Sequence, residues 1–105
     1  MTASTEPSPG LRPGGTSTAV VTGTIRYWAA AKAEAGIAEE PYRAASLAQA
    51  LEQAKERHAD RPRFVRLLDI CSYLVDSEPV GGRDRTQVSL TEGGAIEVLP
   101  PFAGG

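Results

Sequence analysis

Side chains able to do covalent or acid–base chemistry are sparse in this 105-residue chain, which holds one histidine, His58, and one cysteine, Cys71. An enzyme needs a positioned nucleophile, base and orienting group, and no Ser-His-Asp arrangement is supported. One His and one Cys cannot furnish a zinc site of the usual type, and a single cysteine excludes an internal disulfide. His58 falls on or beside the apolar stripe of a predicted helix near its C-terminus, where packing or a charge–dipole contact is the expected role. Cys71 falls in a predicted strand, the setting of a buried and inert thiol. One reactive group is left: the α-carboxylate of Gly105.

That carboxylate stands on an unusual stem, Pro100-Pro101-Phe102-Ala103-Gly104-Gly105. Proline fixes φ and lacks an N–H, so Pro100-Pro101 cannot extend a ladder and favours extended polyproline II. Beyond Phe102 and Ala103 the side chains vanish, leaving the most permissive backbone available. A stem without side chains can enter a channel that any Cβ would block. Small residues are also common at frayed chain ends. The order strand, Pro-Pro, Gly-Gly, end is what points to presentation of the terminus.

The elements that must position it are read from patterning. Ala95-Ile96-Glu97-Val98-Leu99 alternates as a half-buried strand directly before the prolines. Thr18 to Trp28 is β-branched and partly alternating, a first strand. Ala29 to Ala35, stopped by Gly36, reads as a turn of helix or a loop. Ile37 to Arg43 reads as a second strand, with Pro41 placing it at an edge or in an irregular position. Ser46 to about His58 is the clearest helix. Ser46 and Gln49 form a capping box, and Leu47, Ala50, Leu51, Ala54 and His58 share one face. Arg63 to Asp69 follows as a shorter helix with Pro62 in its first turn. Ile70 to Val75 is a strand, Gln87 to Leu90 a short strand or approach, and Glu92-Gly93-Gly94 a turn. This order predicts an α+β fold. Residues 1–17, almost devoid of apolar side chains, are expected to form a flexible N-terminal arm before one domain at 18–99.

A net charge of −2 and a pI near 5.4 give no nucleic-acid signature. No apolar stretch approaches the ~20 residues that span a bilayer, and the start lacks the parts of a secretory signal. No membrane association and a soluble, cytoplasmic protein are expected.

Leu99-Pro-Pro-Phe-Ala-Gly-Gly105 resembles the terminus of the MoaD/ThiS sulfur carriers, above all the branch serving as small subunits of molybdopterin synthase. Three internal stretches are also similar. Trp28-Ala29-x-x-Lys32-x-x-x-Gly36 matches Phe-Ala-x-x-Arg-Glu-x-x-Gly, with lysine where arginine is usual. Leu74-Val75-Asp76-Ser77-Glu78 matches Val-Asn-Gly-Glu, with Asp76 for asparagine. Leu90-x-Glu92-Gly93-Gly94-x-Ile96 matches Leu-x-Asp-Gly-Asp-x-Val. The resemblance implies a ubiquitin-like β-grasp, a mixed sheet packed on one main helix.

It further implies a carrier rather than an enzyme, with no bound cofactor. An E1-like adenylating partner, using ATP and magnesium, activates Gly105, and persulfide sulfur then displaces AMP to leave a thiocarboxylate. A synthase large subunit, in a heterotetramer, accepts the tail and moves the sulfur into precursor Z, giving the molybdopterin dithiolene. In that scheme Gly105 carries the group and Gly104 allows close passage. Ala103 and Phe102 touch the channel mouth, and Pro100 and Pro101 hold the tail off the sheet. Three alternatives share these features: a carrier for thiamine or another metabolite, a ubiquitin-like protein modifier, and a plain β-grasp interaction module.

Overall fold

A computed structural model describes residues 19–101. The expected arm, residues 1–17, and the terminal Phe102, Ala103, Gly104 and Gly105 lie outside the described residues. Strands β1 (Val21–Tyr27), β2 (Glu39–Ala44), β3 (Ser72–Val75), β4 (Glu78–Pro79) and β5 (Gly94–Leu99) form one mixed sheet in the order β2-β1-β5-β3-β4. Helices α1 (Ala29–Ala35), α2 (Leu47–Arg57) and α3 (Pro62–Leu68) complete the fold. This is the β-grasp.

The last strand in sequence sits in the middle of the sheet. Strand β5 pairs parallel with β1, from Gly23↔Gly94 to Tyr27↔Val98, and antiparallel with β3, from Val75↔Ile96 to Ser72↔Leu99. Alternation sends Ile96 and Val98 of β5, Ile25 and Tyr27 of β1, and Tyr73 and Val75 of β3 inward. There they meet Leu47, Ala50, Leu51 and Ala54 of α2 and Phe64 and Leu68 of α3, all buried. The predicted apolar face of α2 is thus the buried one.

Local signals explain most boundaries. The Ser46 hydroxyl accepts from the Gln49 amide at 3.2 Å, as an N-cap should. The reciprocal bond lands one residue earlier than a capping box would place it: Gln49 Oε1 accepts from Ala45 N–H at 2.7 Å. Ser46 itself lies in an isolated bridge with Ser89, flanked by Leu47 N–H to Val88 O and Leu90 N–H to Ala45 O. Of the two readings of Gln87 to Leu90, short strand or approach, the second holds: it approaches α2, preceded by a 3-10 turn at Arg85–Gln87. Asp84 helps to set this, because its carboxylate accepts from the Thr86 amide and hydroxyl and bends the chain first.

The Ala29 to Ala35 segment is helical and closes at Gly36, φ 80°, whose N–H donates to Lys32 O. Pro41 lies on the edge strand β2, opposite Thr24. The β3–β4 hairpin turns through Asp76 and Ser77, both at positive φ, as a two-residue primed turn requires. No helix among the described residues is long and apolar enough to cross a membrane.

Candidate functional site

Of the residues assigned to the stem by sequence, the structure places Pro100, half-buried, and Pro101, exposed, directly after β5. Phe102, Ala103, Gly104 and Gly105 lie outside the described residues. What the structure adds is the mount. Because β5 is held on both sides up to Val98 and Leu99, the chain leaves from the central strand of the sheet. The Trp28 N–H extends the ladder by donating to Val98 O at 3.2 Å.

Both ends of this mount are braced. At the entry end, Gly23 and Gly94 face each other across β1 and β5, and the Tyr42 side chain lies in the space their missing side chains leave. Its hydroxyl donates to Thr91 O at 2.8 Å. Asp76, at φ 52°, accepts from Thr91 Oγ1 at 2.7 Å and Ala95 N–H at 2.9 Å. Both contacts need only an acceptor, so aspartate serves where asparagine is usual. Glu92 accepts from the hydroxyl of Thr22 at 2.5 Å and its amide at 3.0 Å, which hold its carboxyl below the usual range.

At the exit end, Glu40 is the hub under the sheet. Its side chain is 9% exposed and accepts from Tyr27 Oη, lies 2.9 Å from His58 Nε2 and pairs with Arg57 Nη1 at 3.1 Å. Burial pushes the Glu40 carboxyl up, but the hydrogen bonds from Tyr27 and His58, the His58 charge and the Arg57 bond outweigh it and hold it below its ordinary value. Burial, then Glu40, pushes the Tyr27 phenol up. His58 closes α2 with its N–H on Ala54 O, and its ring meets Phe64 edge-on at 4.8 Å. It packs, as its position on the stripe foretold.

Glu40 makes acid lability predictable in sign. A carboxyl whose folded value is depressed stabilises the fold above its unfolded value, and that contribution fades as pH falls through the folded value. The thermal midpoint should therefore hold near neutrality and drop below about pH 4.5, the ordinary glutamate value. In Glu40→Gln the midpoint should be lower at pH 7 and the acid slope shallower. An unchanged slope would show that Glu40 is not among the groups responsible.

Sequence reasoning did not single out the aromatic at the exit. Trp28 is 47% exposed, and its indole N–H donates to Glu97 Oε1 at 3.1 Å, which lays it on the sheet face that the helices leave bare. By alternation Leu74, Ala95 and Leu99 point to the same face. Extending the outward phase of Thr24 and Arg26 to Trp28 would have found it. Ile70, 63% exposed, lies just before β3 at the same end. Cys71 is buried and its thiol is pushed up to about 11 by burial, with Arg85 opposing, so it is held as the inert thiol.

Solved structures share this architecture. The small archaeal modifier protein 1 of Methanosarcina acetivorans matches with a TM-score of 0.69 at 15% identity, covering 83% of this chain and 99% of that one. A Pyrococcus furiosus protein described as molybdopterin converting factor, subunit 1, matches at 0.62 and 20% identity, covering 78% and 99%. The small archaeal modifier protein 1 of Haloferax volcanii gives 0.63 and 17%, covering 80% and 99%. At such identities the likeness is one of fold. No curated protein matches significantly. The ThiS family model matches residues 25–105, running through the central strand, the prolines and the final glycine. On that match, with the β-grasp around it, the chain belongs to the ThiS family.

Proposed function

We propose that this chain carries sulfur on Gly105 for molybdopterin synthesis, as the small subunit of molybdopterin synthase. The observation that carries the reading is the mounting of the stem: a central strand, held on both edges, that ends in Pro100-Pro101 four residues before the carboxylate. Four extended residues beyond Pro101 reach about 14 Å at most, enough to cross a partner's wall without the domain following. The likeness to the Pyrococcus furiosus protein supports the molybdopterin branch.

The chemistry follows from the poor reactivity of a carboxylate. Its charge repels nucleophiles and it offers no leaving group. An E1-like partner lets a Gly105 oxygen attack the α-phosphorus of ATP, with magnesium, releasing pyrophosphate and forming an acyl adenylate. Persulfide sulfur attacks the carbonyl carbon, AMP departs, and reductive cleavage of the remaining sulfur–sulfur bond by a thiol leaves the thiocarboxylate. The large subunit then binds the stem and directs that sulfur to the pterin precursor. This chain supplies the acyl group and its presentation.

Intact-mass measurement after incubation with the activating partner, ATP and a sulfur donor tests the reading. Replacement of one terminal oxygen by sulfur, localised to Gly105, is expected. An unchanged mass with an active partner would reject it. A second reading, a protein modifier, is favoured by the modifier proteins among the structural relatives and would show as lysine adducts on other proteins.

The bare sheet face is the docking surface in this reading, with Trp28 as its anchor. Large exposed aromatics carry much of the binding energy at interfaces, about 2 kcal/mol or more on truncation. Trp28→Ala is therefore expected to weaken partner binding by roughly 30-fold while leaving the unfolding midpoint within about 3 °C. Calorimetric titration against the activating partner checks this, and an unchanged affinity would remove Trp28 from the interface.

A further inference from the structure

Strand β1 ends at Tyr27, and the next two residues leave it abruptly. Trp28 is extended, with φ −116° and ψ 150°, and Ala29 then takes φ 50°, a left-handed backbone that a residue with a Cβ rarely adopts. Such strain persists only where the surroundings over-determine it, and it gathers where a side chain must be aimed. Here that side chain is the exposed Trp28, tied to the bare face by an indole bond to Glu97. A lone exposed hydrogen bond is a weak restraint.

We propose that Tyr27 is a positioning residue for Trp28: its phenol, fastened to Glu40 beneath the sheet, holds the strained bend at Trp28 and Ala29 and so fixes the indole over the bare face. The inference rests on the reading that Trp28 anchors a docking partner. Tyr27 is 2% exposed, so a partner on the bare face does not touch it and its effect must pass through its neighbour.

The restraints on Tyr27 come from several elements. Its amide donates to Ala38 O at 2.8 Å, while the following amide, that of Trp28, donates to Val98 O, so the chain on either side grips the end of β1. Its ring meets Phe64 of α3 edge-on at 5.1 Å and His58 at 6.4 Å. Its hydroxyl donates to Glu40, which Arg57 and His58 hold in turn. Past the bend, Trp28 O accepts from Ala31 N–H at 2.9 Å and Lys32 N–H at 3.3 Å, so the first turn of α1 closes only while that carbonyl keeps its direction. A buried charge network is often no more stabilising than apolar residues of the same volume, and its best-attested use is to fix one arrangement. Placed directly before the bend, this network fixes where β1 stops and how Trp28 leaves it.

The chain's single tryptophan makes the test direct, because indole emission reports Trp28 alone. Tyr27→Phe deletes the hydroxyl and keeps the ring. In the free full chain it should speed the anisotropy decay of the indole. It should also weaken binding of the activating partner roughly 5-fold, as expected when a loosened side chain must be immobilised on docking. In a Trp28→Ala background the same change should leave the affinity untouched. Glu40→Gln still offers Tyr27 a hydrogen-bonding amide, so its unfolding midpoint should fall while the indole decay stays that of the parent. Ala29→Gly relieves the strained φ and should loosen the indole with a midpoint no lower than the parent's. An indole decay unchanged in Tyr27→Phe, or one that merely follows the midpoint across these variants, would overturn the proposal. So would an affinity loss from Tyr27→Phe that survives in the Trp28→Ala background. An unchanged affinity in Trp28→Ala itself would instead remove the docking reading, and this inference with it.

Discussion

Deletion of Gly105 is expected to lower thiocarboxylate formation by at least about 100-fold, because the acyl carbon is then displaced by one residue, about 3.5 Å, along a stem of fixed root. The root is fixed since Pro100 follows a strand paired on both sides, so the domain cannot slide to restore register. The shortened chain still ends in a glycine carboxylate, so the loss would come from position and not from the kind of group. The thermal midpoint should not move, as the deleted residue follows the whole paired sheet. Single-turnover formation of the acyl adenylate with the activating partner measures the effect. Activity within a few-fold of the parent would show that the partner does not measure length. Appending one glycine displaces the group the other way and should be as damaging.

Gly23→Ala is expected to be strongly destabilising. A Cβ there would lie 2.3 Å from Tyr42 Cζ, 2.4 Å from its hydroxyl and 2.5 Å from the Gly94 carbonyl oxygen. The tyrosine could swing aside, at the loss of its bond to Thr91 O. The carbonyl cannot, because it belongs to the backbone of the paired strand. Overpacking costs about 1–3 kcal/mol and the lost, partly buried hydrogen bond about 1 kcal/mol more. At 4–8 °C per kcal/mol for a domain of this size, the midpoint should fall by roughly 8–32 °C. In a Tyr42→Leu background the same alanine should cost measurably less, since one of its two obstacles is gone. Equal losses in both backgrounds would place the strain wholly on the Gly94 carbonyl.

Much of this fold is written in local signals. Ser46 caps α2, Gly36 closes α1, Pro62 opens α3 and Pro41 marks an edge, each acting within a few residues through backbone chemistry that the residue type dictates. Alternation in Ala95 to Leu99 likewise reports burial directly. Long-range partners are not written this way. Nothing near Glu40 announces that Tyr27, Arg57 and His58 will converge on it, because the meeting depends on β2 lying at the edge over the end of α2. The parallel pairing of β1 with β5 spans most of the domain and rests on Gly23 and Gly94 having no side chains, a condition visible only once Tyr42 lies between them. The exit site divides in the same way. Its stem was legible as a run of residue types, whereas Trp28 belongs to it through a bond to Glu97, far along the chain.

The sheet's outer strands limit how any other protein can take hold. On one side β2 carries Pro41, and on the other β4 is only Glu78–Pro79. A proline offers no amide, so neither border gives a visiting peptide an unbroken row of donors to zip onto. Recognition by strand addition is thereby disfavoured at both borders. The bare face remains, where contacts are made by side chains and undone one at a time. In the proposed carrier role, where the chain is charged on one protein and discharged on another, such a grip favours release.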